Sequence, residues 1–319
     1  MSLPTHTAPS GTGPTGSLRS FQGLDLTVRR RLDGLLHGDH TGVRLGPGGE
    51  AEELTRYQSG HDVRRIDWKV TARAREPHVW LTRAEHELDT WLLLDQSPSM
   101  AFGTTTAEKA ELAAAVSGAV GLLTDAPGNR LGIGTLSTTG VVWQRPLAGR
   151  VAAYQVLRSA PAARDGEAPQ GLAEALTAMA RRHRRPGLRV IVSDLLDPSG
   201  IYQRTFDWEP PLRRLTARHD VVVIEVLDPR ELELPQVGQL VLVDPESGRQ
   251  REVGTGDRRV RTAYAAAAAT HRVATTEAVI AAGAGHLPMR TDGDWVRDLS
   301  RFVRARRRVP ARRHSRRSS

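Results

Sequence analysis

The chain has no cysteine among its 319 residues. Disulfides, zinc thiolate centres and thiol nucleophiles are thereby excluded, and the composition fits a reducing compartment. No apolar run is long enough to span a membrane, and the first twenty residues lack the charged-then-apolar pattern of a secretion signal, so the expected location is cytoplasmic. Lysine is nearly missing: Lys69 and Lys109 are the only two, and arginine supplies the other basic residues, a bias that fits a GC-rich genome. Neither a Walker-type glycine loop nor a His-x-x-x-His pair is present, so ATP hydrolysis and zinc peptidase chemistry have no support. The net charge of +9 comes from one place. Residues 301–319 hold nine arginines and no acid, and removing those nine leaves 36 basic residues against 36 acidic ones. The body is neutral and the excess is a tail, suited to anionic surfaces in general.

What is present is organised around Thr90 to Met100, which reads Thr-Trp-Leu-Leu-Leu-Asp-Gln-Ser-Pro-Ser-Met. An unbroken apolar run ending in a carboxylate and two hydroxyls predicts a buried central strand that opens into a polar loop. In open α/β sheets ligands sit at such strand ends. The Asp95-x-Ser97-x-Ser99 spacing gathers one anionic and two neutral oxygens, which are ligand types that a hard divalent cation prefers. The same three residues could equally cap the following helix with no ion present.

Two further apolar runs, Leu188 to Asp194 and Val221 to Asp228, also end in carboxylates. Alternating with predicted helices at 108–124, 151–159, 172–184 and 263–282, they indicate a mainly parallel sheet covered on both faces. Strands are also expected at 130–137, 140–144 and 286–290, a hairpin around Asp244 to Gly248, and a closing helix at 295–308. Residues 1–20 should be disordered, a helix is plausible at 24–36, and His78 to Leu81 reads as an edge strand. Thr105-x-x-Glu108 has the form of a capping box. Tyr57 to Arg73 has no clean period, and Arg64, Arg65 and Arg73 could pair there with Asp62 and Asp67. His183, in an arginine-rich helix end, reads as a cation complementing the helix dipole.

With these residues in view, the chain resembles the bacterial family of domain of unknown function 58, whose core looks like a von Willebrand factor A domain. The segment Tyr57 to Arg73, with Arg64-Arg65-Ile66-Asp67-Trp68 at its centre, is the most specific part of the match. The Asp95 to Met100 loop, Ser193-Asp194, Asp228-Pro229 with Glu231 and Pro235, and Asp244-Pro245-Glu246 complete it, over about 42–302. The resemblance implies a Rossmann-like, von Willebrand factor A-type α/β fold, with helices on both faces of a mainly parallel sheet and an irregular N-terminal β segment. In that frame 1–20 is a disordered N-terminus, 21–89 a family segment packed on the core, 90–305 the von Willebrand factor A-like domain, and 306–319 a disordered Arg-rich tail. The resemblance also implies a metal-ion-dependent adhesion site for Mg2+ or Mn2+. Asp95, Ser97 and Ser99 map onto its first loop, Gln170 falls where a Thr or Ser is usual in the second, and Asp194 maps onto the third. Ser59 and His61 likewise stand where a proline and an acid are usual. The implied role is a non-enzymatic adaptor for a MoxR-type AAA+ ATPase in complex assembly or maturation. The alternatives are a metal-dependent phosphohydrolase using Asp95, for which no lysine lies near enough in sequence to suggest a charge-stabilising partner unless Lys109 on the next helix serves, and nucleic-acid binding through the basic tail.

Overall fold

The computed structural model describes residues 43–45, 51–58, 61–82, 89–104, 107–125, 129–148, 151, 152, 155, 171–196, 205–243 and 248–308. The expectations for 1–20, for the helix at 24–36, for most of the helix at 151–159, for Gln170, for the turn at 244–247 and for the tail beyond 308 lie outside those residues.

The N-terminal segment is more regular than its sequence predicts. Strands β1 (Val43–Leu45), β2 (Ala51–Arg56) and β3 (His78–Thr82) form a separate antiparallel sheet, so the 78–81 strand is the edge of this small sheet and not of the main one. Between β2 and β3 runs a short helix α1 (Trp68–Ala74). Asp62 and Asp67, expected to pair with arginines, serve as helix caps. Asp62 accepts the Arg64 N–H at 2.9 Å, and Asp67 accepts the Lys69 and Val70 N–H groups at 2.9 and 3.1 Å. The second Asp67 oxygen accepts the Trp80 indole N–H at 2.9 Å, tying α1 to β3. A short carboxylate one residue before a helix satisfies orphan backbone donors, which a guanidinium several bonds away cannot do.

The main sheet is built from β4 (Asp89–Asp95), β5 (Arg130–Ser137), β6 (Gly140–Trp143), β7 (Leu188–Ser193), β8 (Asp220–Leu227) and, near the end of the chain, the strand Gly285–Arg290. A separate hairpin of β9 (Gln239–Val243) and β10 (Gln250–Gly254) precedes that last strand, which is therefore β11. The order is β11-β8-β7-β4-β5-β6, parallel throughout except that β6 returns antiparallel to β5. The first strand lies in the middle, the next two extend to one side, and the chain then comes back to the other side. That is the doubly wound order, whose switch point falls between β4 and β7.

Strand alternation distributes the core. Leu92 and Leu94 of β4 face one layer with Leu112 and Val116 of α2 (Lys109–Leu123) and with Val296 and Leu299 near the C-terminus. Trp91 and Leu93 face the other layer, with Leu176 and Met179 of α3 (Leu172–Arg182), Leu212 of α4 (Glu209–Thr216), and Ala278 and Val279 of a long helix, Arg258–Ala281. Between them β8 is followed by a single turn, α5 (Pro229–Leu232), so the long helix is α6 and the closing helix is α7 (Trp295–Arg308). Both faces are thus covered, as expected of a parallel sheet with near-continuous apolar strands. Gly132 is needed at the β4–β5 contact, because a Cβ there would lie 2.4 Å from the Trp91 ring.

Three local expectations are corrected. Helix α2 is capped at Glu108 with Glu111 accepting its backbone N–H at 3.2 Å, so the capping box sits three residues later than Thr105-x-x-Glu108. Helix α4, which carries Pro210 and Pro211, has no counterpart in the sequence reading. The prolines occupy its first turn, where backbone N–H groups lack intrahelical partners anyway. The boundary at 305 falls inside α7, whose Arg306 pairs with Asp220 at the start of β8.

The N-terminal ends of the strands are held by a buried guanidinium. Arg189 on β7 donates to the Asp89 carboxylate at 2.9 Å, to the Asp89 carbonyl at 2.6 Å, and to the His183 and Arg185 carbonyls at 3.2 and 2.7 Å. This one side chain joins β4, β7 and the end of α3. His183 is not the helix-capping cation its neighbours imply. Its ring stacks on Trp91 with centroids 3.3 Å apart, and burial, with Arg189 nearby, pushes its pKa down to about 4.

Candidate functional site at the strand ends

At the opposite end of the sheet, β4, β7 and β8 each deliver a carboxylate. Asp95 closes β4, Asp194 follows β7, and Asp228 follows β8, all three buried. Asp95 and Asp194 lie at the ends of the two strands that flank the switch point, where the crevice of a doubly wound sheet opens.

The first loop folds tightly on Asp95. Its Oδ1 accepts the Ser97 N–H at 2.9 Å and its Oδ2 accepts the Ser193 hydroxyl at 2.6 Å. A 3-10 turn, Pro98–Ala101, carries Ser99 back toward the sheet, so that the Ser97 and Ser99 hydroxyls meet at 3.0 Å. Ser99 in turn donates to Asp194. The loop after β7 is strained. Leu195 holds a left-handed backbone, φ 57°, while the Ser193 hydroxyl accepts its N–H at 3.1 Å and Asp194 Oδ1 accepts the Leu196 N–H at 3.1 Å. A non-glycine residue in that region costs about 1–3 kcal/mol and persists where its surroundings over-determine it, commonly at binding sites.

Lys109, the first residue of α2, points into this cluster and is fully buried. Its ammonium donates to Asp194 Oδ2 at 2.8 Å and pairs with Glu231 of α5. Glu231 completes a capping box by accepting the Asp228 N–H at 2.9 Å. Asp228 then accepts the Thr104 N–H and hydroxyl at 2.9 and 2.6 Å and the Thr291 hydroxyl at 3.1 Å. The polar chain therefore runs from the loop after β4 through α2 and the ends of β7 and β8 to the end of β11.

The electrostatics are uneven along this chain. Burial pushes the Asp95 pKa up to about 6, and the like charge of Asp194 adds to the effect. Burial would raise Asp194 as well, but Lys109 outweighs it and holds Asp194 below the usual carboxylate range. Burial alone would lower Lys109, yet Asp194 and Glu231 together hold it above its ordinary value. Glu231 is raised by burial, with Lys109 offsetting only part of that. The buried carboxylates Asp95 and Asp194 and the half-buried Glu231 thus share one ammonium, which contacts Asp194 and Glu231 directly.

The arrangement brings together Asp95, Ser97, Ser99 and Asp194, four of the five residues expected to hold a metal; the fifth, Gln170, is outside the described residues. The donors suit a hard divalent cation in type, and the excess of buried negative charge favours one. Among the described residues no group of three or more His, Asp or Glu side chains is placed to hold an ion unaided, so the serine hydroxyls would have to complete the shell. Sequence reasoning missed Glu231, Ser193, Asp228, Thr104 and Thr291 as members of the cluster, and did not bring Lys109 into it. The Asp228-Pro229-x-Glu231 string has the spacing of a capping box with proline at the first helical position, a legible signal for α5.

Fold and site define a doubly wound α/β domain that gathers carboxylates and hydroxyls at its strand ends. The family model described as "Protein of unknown function DUF58" matches residues 53–274, and the chain belongs to that family. It is 46% identical over 291 residues to the uncharacterized protein Rv1480 of Mycobacterium tuberculosis, a match covering 89% of this chain and 88% of that one. Among solved structures it is similar to the conserved hypothetical protein BatB from Bacteroides thetaiotaomicron, with 13% identity, 70% of this chain and 100% of that chain covered, and a TM-score of 0.42. It is also similar to the SpRpn10 VWA domain, with 11% identity, 68% and 94% covered, and a TM-score of 0.35. Likeness at that level adds nothing to the strand order, which defines the fold class by itself. No helix among the described residues is long and apolar enough to cross a membrane.

Proposed function

We propose that the chain is a non-enzymatic adaptor that binds a partner protein at the strand-end face, through Mg2+ or Mn2+ held by Asp95, Ser97, Ser99 and Asp194 with Gln170 in the second loop. The observation that supports this reading most is the convergence of Asp95 and Asp194 with the two serine hydroxyls at the switch point, in a cluster with more buried negative than positive charge. A divalent ion there offsets that charge and, with a coordination position left for an incoming carboxylate, joins two surfaces that would otherwise repel. The partner proposed for that face, on the resemblance drawn from the sequence, is a MoxR-type AAA+ ATPase.

The phosphohydrolase alternative gains no support from Lys109, whose ammonium goes to Asp194 and Glu231 and not to Asp95. Both Asp95 oxygens, moreover, already accept hydrogen bonds from Ser97 and Ser193. The test is capture of the native host's MoxR-type ATPase on the immobilised full chain, in Mg2+ and in EDTA, with Asp95→Ala as the comparison. Capture is expected in Mg2+ and is expected to be lost in EDTA and in the variant. Equal capture by Asp95→Ala sinks the strand-end reading, and recovery of no such ATPase sinks the partner.

A further inference from the structure

Lys109 is one of two lysines among 45 basic residues, and the other, Lys69, is exposed. Arginine fills nearly every other basic position, so the place of Lys109 calls for something a guanidinium does not offer. The structure supplies a reason. The side chain is fully enclosed, and its ammonium, a compact point charge, lies between Asp194 and Glu231, which come from the ends of two neighbouring strands. Paired buried charges of this kind seldom add net stability over an apolar core, but removing one partner leaves the other charge uncompensated and is costly. The pairing is better understood through what it adjoins, because Asp194 is both the acceptor of Lys109 and one of the residues facing Asp95.

We propose that Lys109 is a tethered counter-ion of the strand-end site: without a divalent ion its ammonium holds Asp194 and the Glu231 turn in place, and when an ion arrives it competes with that ion for Asp194. The proposal rests on the reading of this face as a cation site, and partner binding plays no part in its test. Its consequence is that the native fold does not depend on the ion, whereas a chain lacking the ammonium does. Lys109 thus acts as a positioning residue that also sets the site's affinity low.

The experiment measures thermal unfolding of the full chain in EDTA and in millimolar MnCl2, for wild type, Lys109→Met, and the double variant Lys109→Met/Glu231→Gln. The double variant removes one carboxylate along with the ammonium, which guards against simple failure to fold. In EDTA Lys109→Met should unfold well below wild type, and the double variant should recover part of that loss. Mn2+ should raise the midpoint of both variants by about 5 °C or more beyond any rise in wild type. If wild type and both variants rise equally, or wild type rises more, Lys109 is not a competing counter-ion and the proposal is overturned while the cation site stands. If Mn2+ moves none of the three, the cation reading fails with it, and ATPase capture in EDTA then decides separately whether the face binds a partner at all.

Discussion

Replacing Asp95 by Asn should stabilise the ion-free protein, although Asp95 is the residue around which the site is built. The reasoning starts from the raised pKa. Asp95 titrates at about 6 in the fold against 3.8 when free, so the fold disfavours its ionised form. Stability from this group is complete below pH 4 and is lost as the pH rises through 6, a loss of about 3 kcal/mol at 1.36 kcal/mol per pKa unit. Asparagine has the same shape without the charge. It keeps an acceptor for the Ser97 N–H, but it turns an amide donor toward the Ser193 hydroxyl, whose oxygen already accepts from Leu195. Losing that one good hydrogen bond costs about 1 kcal/mol, which leaves a net gain of about 2 kcal/mol at pH 7.5 in EDTA. Urea unfolding at matched m-values is the assay, repeated below pH 4, where the protonated wild type should lose its disadvantage. In saturating Mn2+ the order should reverse, since only the wild type keeps the carboxylate. An Asn variant clearly less stable than wild type at pH 7.5 in EDTA refutes the reasoning, because it means that the Asp95 charge is already welcome in the ion-free fold.

Two further outcomes concern the other end of the sheet. His183 and His219 are both pushed down to about 4 by burial, with Arg189 nearby, so the unfolded chain binds more protons between pH 6.5 and 4 and stability should fall with acidification across that window, by up to about 3 kcal/mol per ring; urea titrations at pH 7.5 and 4.5 should show a smaller acid loss for His183→Phe, which keeps the stack on Trp91. Arg189→Met should cost about 1–3 kcal/mol, measured as a drop in urea midpoint, because it leaves the carbonyls at 183 and 185 without their donor and the Asp89 carboxylate with only the Trp91 indole N–H.

The parts of this protein that announce themselves in the sequence are those where one short window contains the whole physical cause. The run Trp91 to Leu94 ending at Asp95 needs nothing beyond itself to be recognised as a buried strand with a polar exit. The same holds for Leu188 to Asp194 and for β8, and three such strands separated by helices leave few folds open. Local windows fail where the cause lies elsewhere in the chain. Asp62 and Asp67 look like ion-pair partners of the arginines beside them, and their capping role at Arg64, Lys69 and Val70, with the Trp80 contact of Asp67, shows only in the fold. His183 looks cationic among arginines, but Trp91, ninety residues away, covers its ring. Lys109 is separated from Asp194 by 85 residues and from Glu231 by 122, and only the sheet order puts all three together. The cluster was legible in its strand-end carboxylates and silent about the ammonium between them.

The two ends of the sheet hold buried charge on opposite terms. At the N-terminal ends the two terminal nitrogens of Arg189 make five acceptor contacts from β4, β7 and the end of α3, and the side chain serves to fix the strands. At the C-terminal ends a single ammonium is shared by Asp194 and Glu231 with Asp95 left outside its reach, the Leu195 backbone is left-handed, and Asp95 is held ionised at a cost. A protein selected for stability alone gains nothing from the second arrangement, since Asn at 95 relieves it with one substitution. Its persistence makes sense if something from outside supplies the missing positive charge when the site is in use. Lys109 then has a definite place: it carries enough of that charge to keep the fold intact before the ion and the partner arrive, and too little to make them unnecessary.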